Sequence, residues 1–149
     1  MTPDRAAYLS GLIGRPWTAQ GQGPEAYSCY GLARELQAVL WGRTLPDIPV
    51  PPAPSWRWMV EAIRSHPARS AWAEVPACCG VVQAGDGALV LMARLSRPAH
   101  IGVWLADSGT VIHADQDLGV THEGLAHLRA RGWGRLMFHE PLTRTGSEI

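Results

Sequence analysis

The pattern of apolar residues changes character halfway along this 149-residue chain, and that change limits the possible folds more than any other feature. Helical spacing in the first half predicts helices over residues 4–13, 29–41 and 55–65. Short apolar segments bounded by Gly, Asp or Pro predict strands near 79–83, 87–93, 100–105, 110–114 and 133–139, with one more helix over 121–131. Helices followed by a mostly antiparallel sheet indicate a single α+β domain.

The charge and hydropathy of the chain exclude several kinds of partner. Lys and Arg number 13 and Asp and Glu number 13, so the formal net charge is zero. Without a basic field we expect no nucleic-acid partner. No apolar run approaches the ~20 residues that span a bilayer, and no signal-peptide pattern opens the chain. We therefore expect a protein that is made in the cytoplasm and does not insert into a membrane.

One cysteine lies where a polar loop turns into a helix with an apolar face. The surrounding run is Tyr27-Ser28-Cys29-Tyr30-Gly31-Leu32. The Ser28 hydroxyl is a suitable N-cap, which makes Cys29 the first helical residue. The positive end of the helix dipole favours the thiolate there, so we expect a Cys29 pKa lowered from about 8.5 toward neutrality. The alternative is a small buried residue with no chemical role.

Two histidines occupy segments that are typical of the two strands of a hairpin. The Ser108-Gly109 dipeptide predicts the turn between segments 101–105 and 110–113. If these segments pair, His100 and His113 meet on one face of the sheet, where one ring can act as a base and the other can orient it. A cysteine, a histidine base and an orienting group are the requirements of a thiol hydrolase. Structural roles for the two rings stay open at this point.

Six short motifs follow one another along the chain. They are Gly14-Arg15-Pro16-Trp17, Gly21-Gln22-Gly23-Pro24, Ser28-Cys29-Tyr30-Gly31-Leu32, Gly85-Asp86, His100-Ile101-Gly102-Val103-Trp104-Leu105 and Val111-Ile112-His113-Ala114. In this order and spacing they resemble the NlpC family, whose members are papain-fold peptidoglycan endopeptidases. The resemblance extends from about residue 8 to residue 140.

The resemblance implies a fold, a site and a reaction. It implies a papain-like NlpC domain over residues 1–142, with N-terminal helices packed on a mostly antiparallel sheet of five to six strands, and a polar tail at 143–149. By the resemblance, Cys29 is the nucleophile, His100 the general base and His113 the orienting residue, with no cofactor and no metal. The implied substrate is a peptidoglycan stem peptide, usually cut between γ-linked D-glutamate and diaminopimelate.

A particular branch of the family looks most similar. The Arg-Pro-Trp motif, the large residue after the cysteine and the single-domain format resemble members from the tail tips of long-tailed phages and gene transfer agents. We therefore expect incorporation into the tail of a virion or phage-like particle, with other tail-tip or baseplate proteins as partners. The role implied there is to help the tail tube pass the cell wall.

The chain departs from the family pattern at two positions near the nucleophile. Most members carry Asp directly before the cysteine, where this chain has Ser28, which keeps the capping role. Most members also carry Tyr twelve residues before the cysteine, where this chain has Trp17. An indole N–H can donate a hydrogen bond to an oxyanion but cannot accept one. We assign Trp17, Ser28 and Tyr30 to the oxyanion and substrate groove.

Two other functions fit the same sequence. The first is a structural tail-tip subunit with this fold and little activity, which would use the seven tryptophans at interfaces. The second is a transferase or amidase that acts on an acyl chain or on another amide. Cys78 and Cys79 are expected to be buried, because adjacent cysteines rarely have the geometry of a disulfide or a metal site.

Overall fold

The computed structural model describes residues 4–142, so the predicted polar tail at 143–149 lies outside the described residues. The helices are α1 (Arg5–Leu12), α2 (Cys29–Trp41), α3 (Trp56–Arg64) and α4 (Leu125–Ala130). The strands are β1 (Trp72–Glu74), β2 (Leu89–Ala93), β3 (His100–Leu105), β4 (Thr110–Asp115), β5 (Gly119–Gly124) and β6 (Arg135–Pro141). Within residues 4–142, the helices are too short or too polar to cross a membrane.

The strands form one antiparallel sheet in the order β1-β6-β2-β3-β4-β5. Strands β2 to β5 are neighbours both in sequence and in space, whereas β6 returns to lie between β1 and β2. The predicted hairpin is present, since Leu105 pairs with Thr110. Gly109 in its turn has φ 66°, a conformation that glycine adopts without steric cost. The predicted α+β class and the antiparallel sheet are confirmed.

Helix α2 packs against one face of the sheet. Its buried side chains, among them Leu32 and Leu36, pack against β3 and β4 in one continuous core with Val103 and Ile112. The opposite face of the sheet carries a second core around Val90, Trp104 and Phe138, covered in part by α4. The sheet is therefore covered on both faces, which explains why β2 and β3 are buried along their whole length.

Two predicted elements differ from the structure, and one strand was not predicted. The segment 79–83 is not a strand, because only one isolated bridge, between Cys78 and Val81, forms there. The helix predicted over 121–131 begins at Leu125, and the residues before it form β5, whose backbone is held by six residue pairs with β4. Pairing between strands outweighs the local helical pattern. The short edge strand β1 was not predicted.

Candidate active site

The nucleophile predicted from the sequence stands at the first residue of α2, as expected. Ser28 is the N-cap, and its hydroxyl oxygen accepts from the Gly31 N–H at 2.9 Å and donates to the Gly21 carbonyl at 3.1 Å. A Cβ on Gly31 would lie 2.1 Å from that same carbonyl oxygen, so only glycine lets the loop approach the helix this closely. These contacts fix the backbone on either side of Cys29, the first residue of the helix.

The expected low pKa of Cys29 is wrong. The side chain is buried, with 4% of its surface exposed. Burial raises the pKa of the thiol to about 11, although backbone N–H groups of Ile101, Tyr30 and Cys29 act in the opposite direction. Desolvation of the charged form therefore outweighs the helix terminus. In the free protein the sulfur is a thiol at neutral pH.

The two histidines meet across the β3–β4 hairpin, as the predicted pairing required. His100 Nε2 and His113 Nδ1 are 2.9 Å apart, and their rings stand edge to face. Gly102 lets β3 and β4 pack closely at this point, because a Cβ there would lie 2.6 Å from a Val111 methyl group and 3.2 Å from the His113 Cβ.

A buried ion-pair network continues the contact beyond His113. His113 Nε2 lies 2.7 Å from Glu123 Oε2. Arg131 donates to both oxygens of Glu123, at 2.7 and 2.9 Å, and to Asp115 at 3.0 Å. The hydrogen bonds from Arg131 and His113 lower the pKa of Glu123 despite its burial. Glu123 is therefore an ionised carboxylate that can only accept hydrogen bonds.

This carboxylate determines where the protons sit on both rings. Burial lowers the pKa of His100 to about 3, with His113 contributing, and burial also lowers the pKa of His113, so both rings are neutral at pH 7. His113 must donate to Glu123 from Nε2, so its Nδ1 carries a lone pair and accepts from His100 Nε2–H. His100 Nδ1 is then the unprotonated nitrogen. The network thus leaves His100 Nδ1 free to accept a proton.

A stack of side chains holds the outer face of the His100 ring. Trp133 lies parallel to it, with ring centroids 5.0 Å apart and an interplanar angle of 17°. The Arg94 guanidinium lies 4.0 Å from the Trp133 ring centroid and donates to the Arg131 carbonyl. The ring is therefore fixed by stacking on one side and by hydrogen bonding at Nε2. Its orientation is set before any substrate binds.

The predicted groove residues all lie around Cys29. Trp17, Ser28 and Tyr30 line the same pocket as Cys29. The Tyr30 hydroxyl donates to the Pro46 carbonyl, so it is occupied within the protein. Among residues 4–142, no three His, Cys, Asp or Glu side chains are grouped to hold a metal ion. Cys78 and Cys79 are exposed, which contradicts the expectation that they are buried.

Sequence reasoning missed the residues that support the histidines. The helix predicted over 121–131 would put Glu123 in its first turn, and none of the six sequence motifs includes Arg131, Asp115 or Trp133. A signal was present: residues 119–124 follow β4 after a short turn that ends in Gly119, a pattern that favours a second hairpin. That hairpin would have placed Glu123 beside the strand that carries His113.

Comparisons with known proteins agree with this fold. No model of a known protein family matches the chain, and no curated protein matches it in sequence. The chain is similar to the crystal structure of the NlpC/p60 domain of the peptidoglycan hydrolase SagA, with a TM-score of 0.54 and 18% identity. The match covers 89% of this chain and 93% of that one. The protein thus has an NlpC/p60-like, papain-type α+β fold, as the sequence motifs implied.

Proposed function

We propose that the protein is a cysteine peptidase that hydrolyses an amide bond in peptidoglycan stem peptides. The observation that carries the proposal is the chain of hydrogen bonds from Glu123 through His113 to His100, which leaves the base lone pair at His100 Nδ1. The backbone N–H of the next residue, Ile101, already acts on the Cys29 sulfur. A histidine base held by hydrogen bonds and a thiol at a helix N-terminus are the groups that acyl transfer requires.

The proposed reaction starts from a neutral Cys29 thiol and a neutral His100 ring. As Cys29 Sγ attacks the amide carbonyl carbon, its proton passes to His100 Nδ1, so the buried thiolate never accumulates. The carbonyl oxygen becomes an oxyanion and is stabilised by the N–H groups of Cys29 and Tyr30, which lie in the first turn of α2 and lack intrahelical acceptors. The imidazolium is stabilised through His113 by the Glu123 carboxylate.

The second half of the reaction reuses the same groups. Protonated His100 gives its proton to the leaving amine as the carbon–nitrogen bond breaks, and a thioester to Cys29 remains. Water then attacks this thioester, with His100 accepting the water proton and returning it to the sulfur. The products are a carboxylate and an amine, and no cofactor takes part.

The finer parts of the proposal rest on the sequence motifs. The bond between γ-linked D-glutamate and diaminopimelate is the one that the NlpC resemblance implies, and the similar fold of a peptidoglycan hydrolase domain supports a cell-wall substrate. The Arg15-Pro16-Trp17 motif supports a place at the tail tip of a phage-like particle, with other tail or baseplate proteins as partners.

One observation favours a second candidate, a structural subunit of the same fold with little activity. Cys29 is 4% exposed, and its pKa is raised rather than lowered. In that case the buried thiol and the tryptophan-lined pocket would serve packing or assembly alone. The two candidates differ in one prediction. Only the peptidase releases peptidoglycan fragments in a reaction that requires the Cys29 sulfur.

The test is a digest of purified diaminopimelate-type peptidoglycan, with the released fragments identified by mass. We compare the wild type with Cys29→Ala and, as a matched control, with Cys78→Ala at an exposed thiol. We expect new stem-peptide fragments from the wild type and the control but none from Cys29→Ala. The masses of the released fragments identify the bond that is cleaved. Fragments that persist in Cys29→Ala, or that are absent from a folded wild type, would overturn the peptidase and favour the structural subunit.

A further inference from the structure

A second cleft lies along α3, on the side that does not line the pocket around Cys29. Its walls come from α3, from the loop between β2 and β3, and from the short 3₁₀ helix at Arg69–Ala71. The cleft measures about 1180 Å³, part of it continuous with solvent. Met59 and Ile63 line the Cys29 pocket, whereas Arg64 lines the cleft. Helix α3 therefore separates the cleft from the proposed active site.

Positive charge is concentrated in this cleft. Four arginines line it, namely Arg57, Arg64, Arg69 and Arg97, and all four are exposed. Glu61 is the only acidic side chain among the described residues of the lining, so positive charges exceed negative ones there by three. The whole chain, by contrast, has 13 basic and 13 acidic residues. The cleft thus differs from the average surface of the protein in its charge.

Three of the four guanidinium groups have no acidic partner in the fold. Arg64 donates to Glu61 at 3.1 and 3.3 Å, in an exposed pair on α3. Within residues 4–142, the other arginines of the cleft, Arg57, Arg69 and Arg97, form no ion pair, although arginines elsewhere in the fold do. These three groups are consequently available to anions from outside the protein.

Exposed arginines bind a single anion weakly. An ion pair in water contributes little, because both charges are hydrated and salt screens them. Several pairs formed by one ligand add up, because the first contact holds the remaining groups at a high effective concentration. The guanidinium fork also matches the two free oxygens of a phosphodiester. The cleft therefore favours a linear polymer with several phosphate groups over a small anion.

The apolar part of the cleft is small, which limits the kinds of polymer that fit. Trp56 is 58% exposed beside the arginines, whereas Val60 is buried. One tryptophan does not supply the apolar, densely packed centre of a protein interface. Single-stranded nucleic acid is bound by stacking successive bases on several aromatic side chains, and Trp56 is the only aromatic residue in the described lining. The ring suits a polymer with a sugar or polyol unit between its phosphates.

We propose that this cleft binds a cell-wall polymer with repeating phosphodiester groups and thereby holds the protein on the wall. Arg69 lines both the cleft and the Cys29 pocket. A polymer that is attached to peptidoglycan and bound in the cleft therefore keeps stem peptides near the sulfur. The inference rests on the wall target of the proposed function, but it requires no hydrolysis.

The experiment measures binding to insoluble cell walls in a Cys29→Ala background, so that the wall is not digested. Diaminopimelate-type walls that carry a phosphodiester polymer are compared with the same walls after hydrofluoric acid has removed the polymer. Cosedimentation over a range of wall concentrations gives the affinity. We expect removal of the polymer to weaken binding at least about tenfold. Raising the salt from about 50 to 200 mM should weaken binding to intact walls by a similar factor, because bound counterions are released from the polymer.

A double variant, Arg57→Gln with Arg97→Gln, assigns the effect to the cleft. Neither residue lines the Cys29 pocket. We expect this variant to bind intact walls roughly tenfold more weakly, about threefold for each arginine, and to bind stripped walls as before. Arg129→Glu, at an exposed arginine on α4, changes the net charge by the same amount and is the matched control. It should bind intact walls like the parent, and equal midpoints of urea unfolding report that the variants are folded.

The outcomes separate this inference from the proposed function. Equal binding to intact and stripped walls, or equal losses in the double variant and in Arg129→Glu, would contradict the cleft, whereas Cys29-dependent digestion would leave the peptidase standing. If an oligonucleotide with the same number of phosphates binds more tightly than the isolated wall polymer, and the double variant loses that binding, the wall polymer is wrong and the cleft is a nucleic-acid site. Polymer-dependent wall binding without digestion by the wild type would support the cleft and contradict the peptidase.

Discussion

The substitution Glu123→Gln tests whether the buried carboxylate sets the protonation of the two histidines. The change keeps the shape of the side chain and removes its charge. An amide can present either its oxygen or its NH₂ group to His113 Nε2. If the NH₂ group faces the ring, His113 takes its proton on Nδ1, and His100 must then carry its proton on Nδ1 as well. His100 Nδ1 then has no lone pair with which to accept the thiol proton.

The size of the effect follows from the contacts. Glu123 accepts from His113 at 2.7 Å and from Arg131 at 2.7 and 2.9 Å, and its side chain is 2% exposed. Charge-assisted hydrogen bonds contribute roughly 1.5–3 kcal/mol each, and Arg131 keeps its bond to Asp115, so we expect a loss of about 2–4 kcal/mol of unfolding free energy. A wrong tautomer of a catalytic histidine lowers kcat by about 10⁴ in serine hydrolases, and we expect roughly 10²–10⁴ here.

Two measurements check this reasoning. The rate of stem-peptide release gives the loss of activity, and ¹⁵N spectra of labelled histidine identify the protonated nitrogen in each ring. In the wild type both rings should be protonated at Nε2, and Glu123→Gln should shift protons to Nδ1. Glu61→Gln on the exposed surface of α3 is the control. Wild-type rings protonated at Nδ1, or a Glu123→Gln variant with full activity, would refute the argument.

Two further outcomes follow from the buried site. At pH 7 iodoacetamide should alkylate exposed Cys78 and Cys79 at least 100-fold faster than Cys29, whose pKa of about 11 leaves little thiolate, and peptide mass spectra would contradict this if Cys29 reacted first. Stability should fall as the pH drops below 6.5, because the unfolded chain then binds a proton that His100, with a pKa of about 3, does not bind in the fold. The loss from His100 is about 2 kcal/mol at pH 5, measured by urea unfolding, and a His100→Asn variant should show a shallower decline; an equal decline would assign the pH dependence to other groups.

Those parts of the structure that depend on local signals could be predicted from the sequence. The start of α2 was predicted from Ser28, whose side chain caps the helix through a contact three residues along. The His100–His113 contact was predicted from a short turn and a register between adjacent strands. In both cases the residues that decide the structure lie close together in the chain.

Features that depend on distant packing could not be predicted. The edge strand β1 exists because β6 returns beside it from the far end of the chain. The pKa of Cys29 is raised by burial in the core that α2 forms with the sheet, and a sequence motif at a helix start does not report that burial. Glu123 was missed because its strand has a helical pattern locally, and only pairing with β4 shows that it faces His113.

The antiparallel run β3-β4-β5 also has a consequence for the order in which the site assembles. His100, His113 and Glu123 lie on three successive strands joined by tight turns, so the loops that must close between them are short and cost little chain entropy. Cys29 joins them only when α2 docks from a distant part of the sequence. In refolding, the histidine–carboxylate network is therefore expected to form as an early local unit, and the appearance of activity should report the later docking of α2.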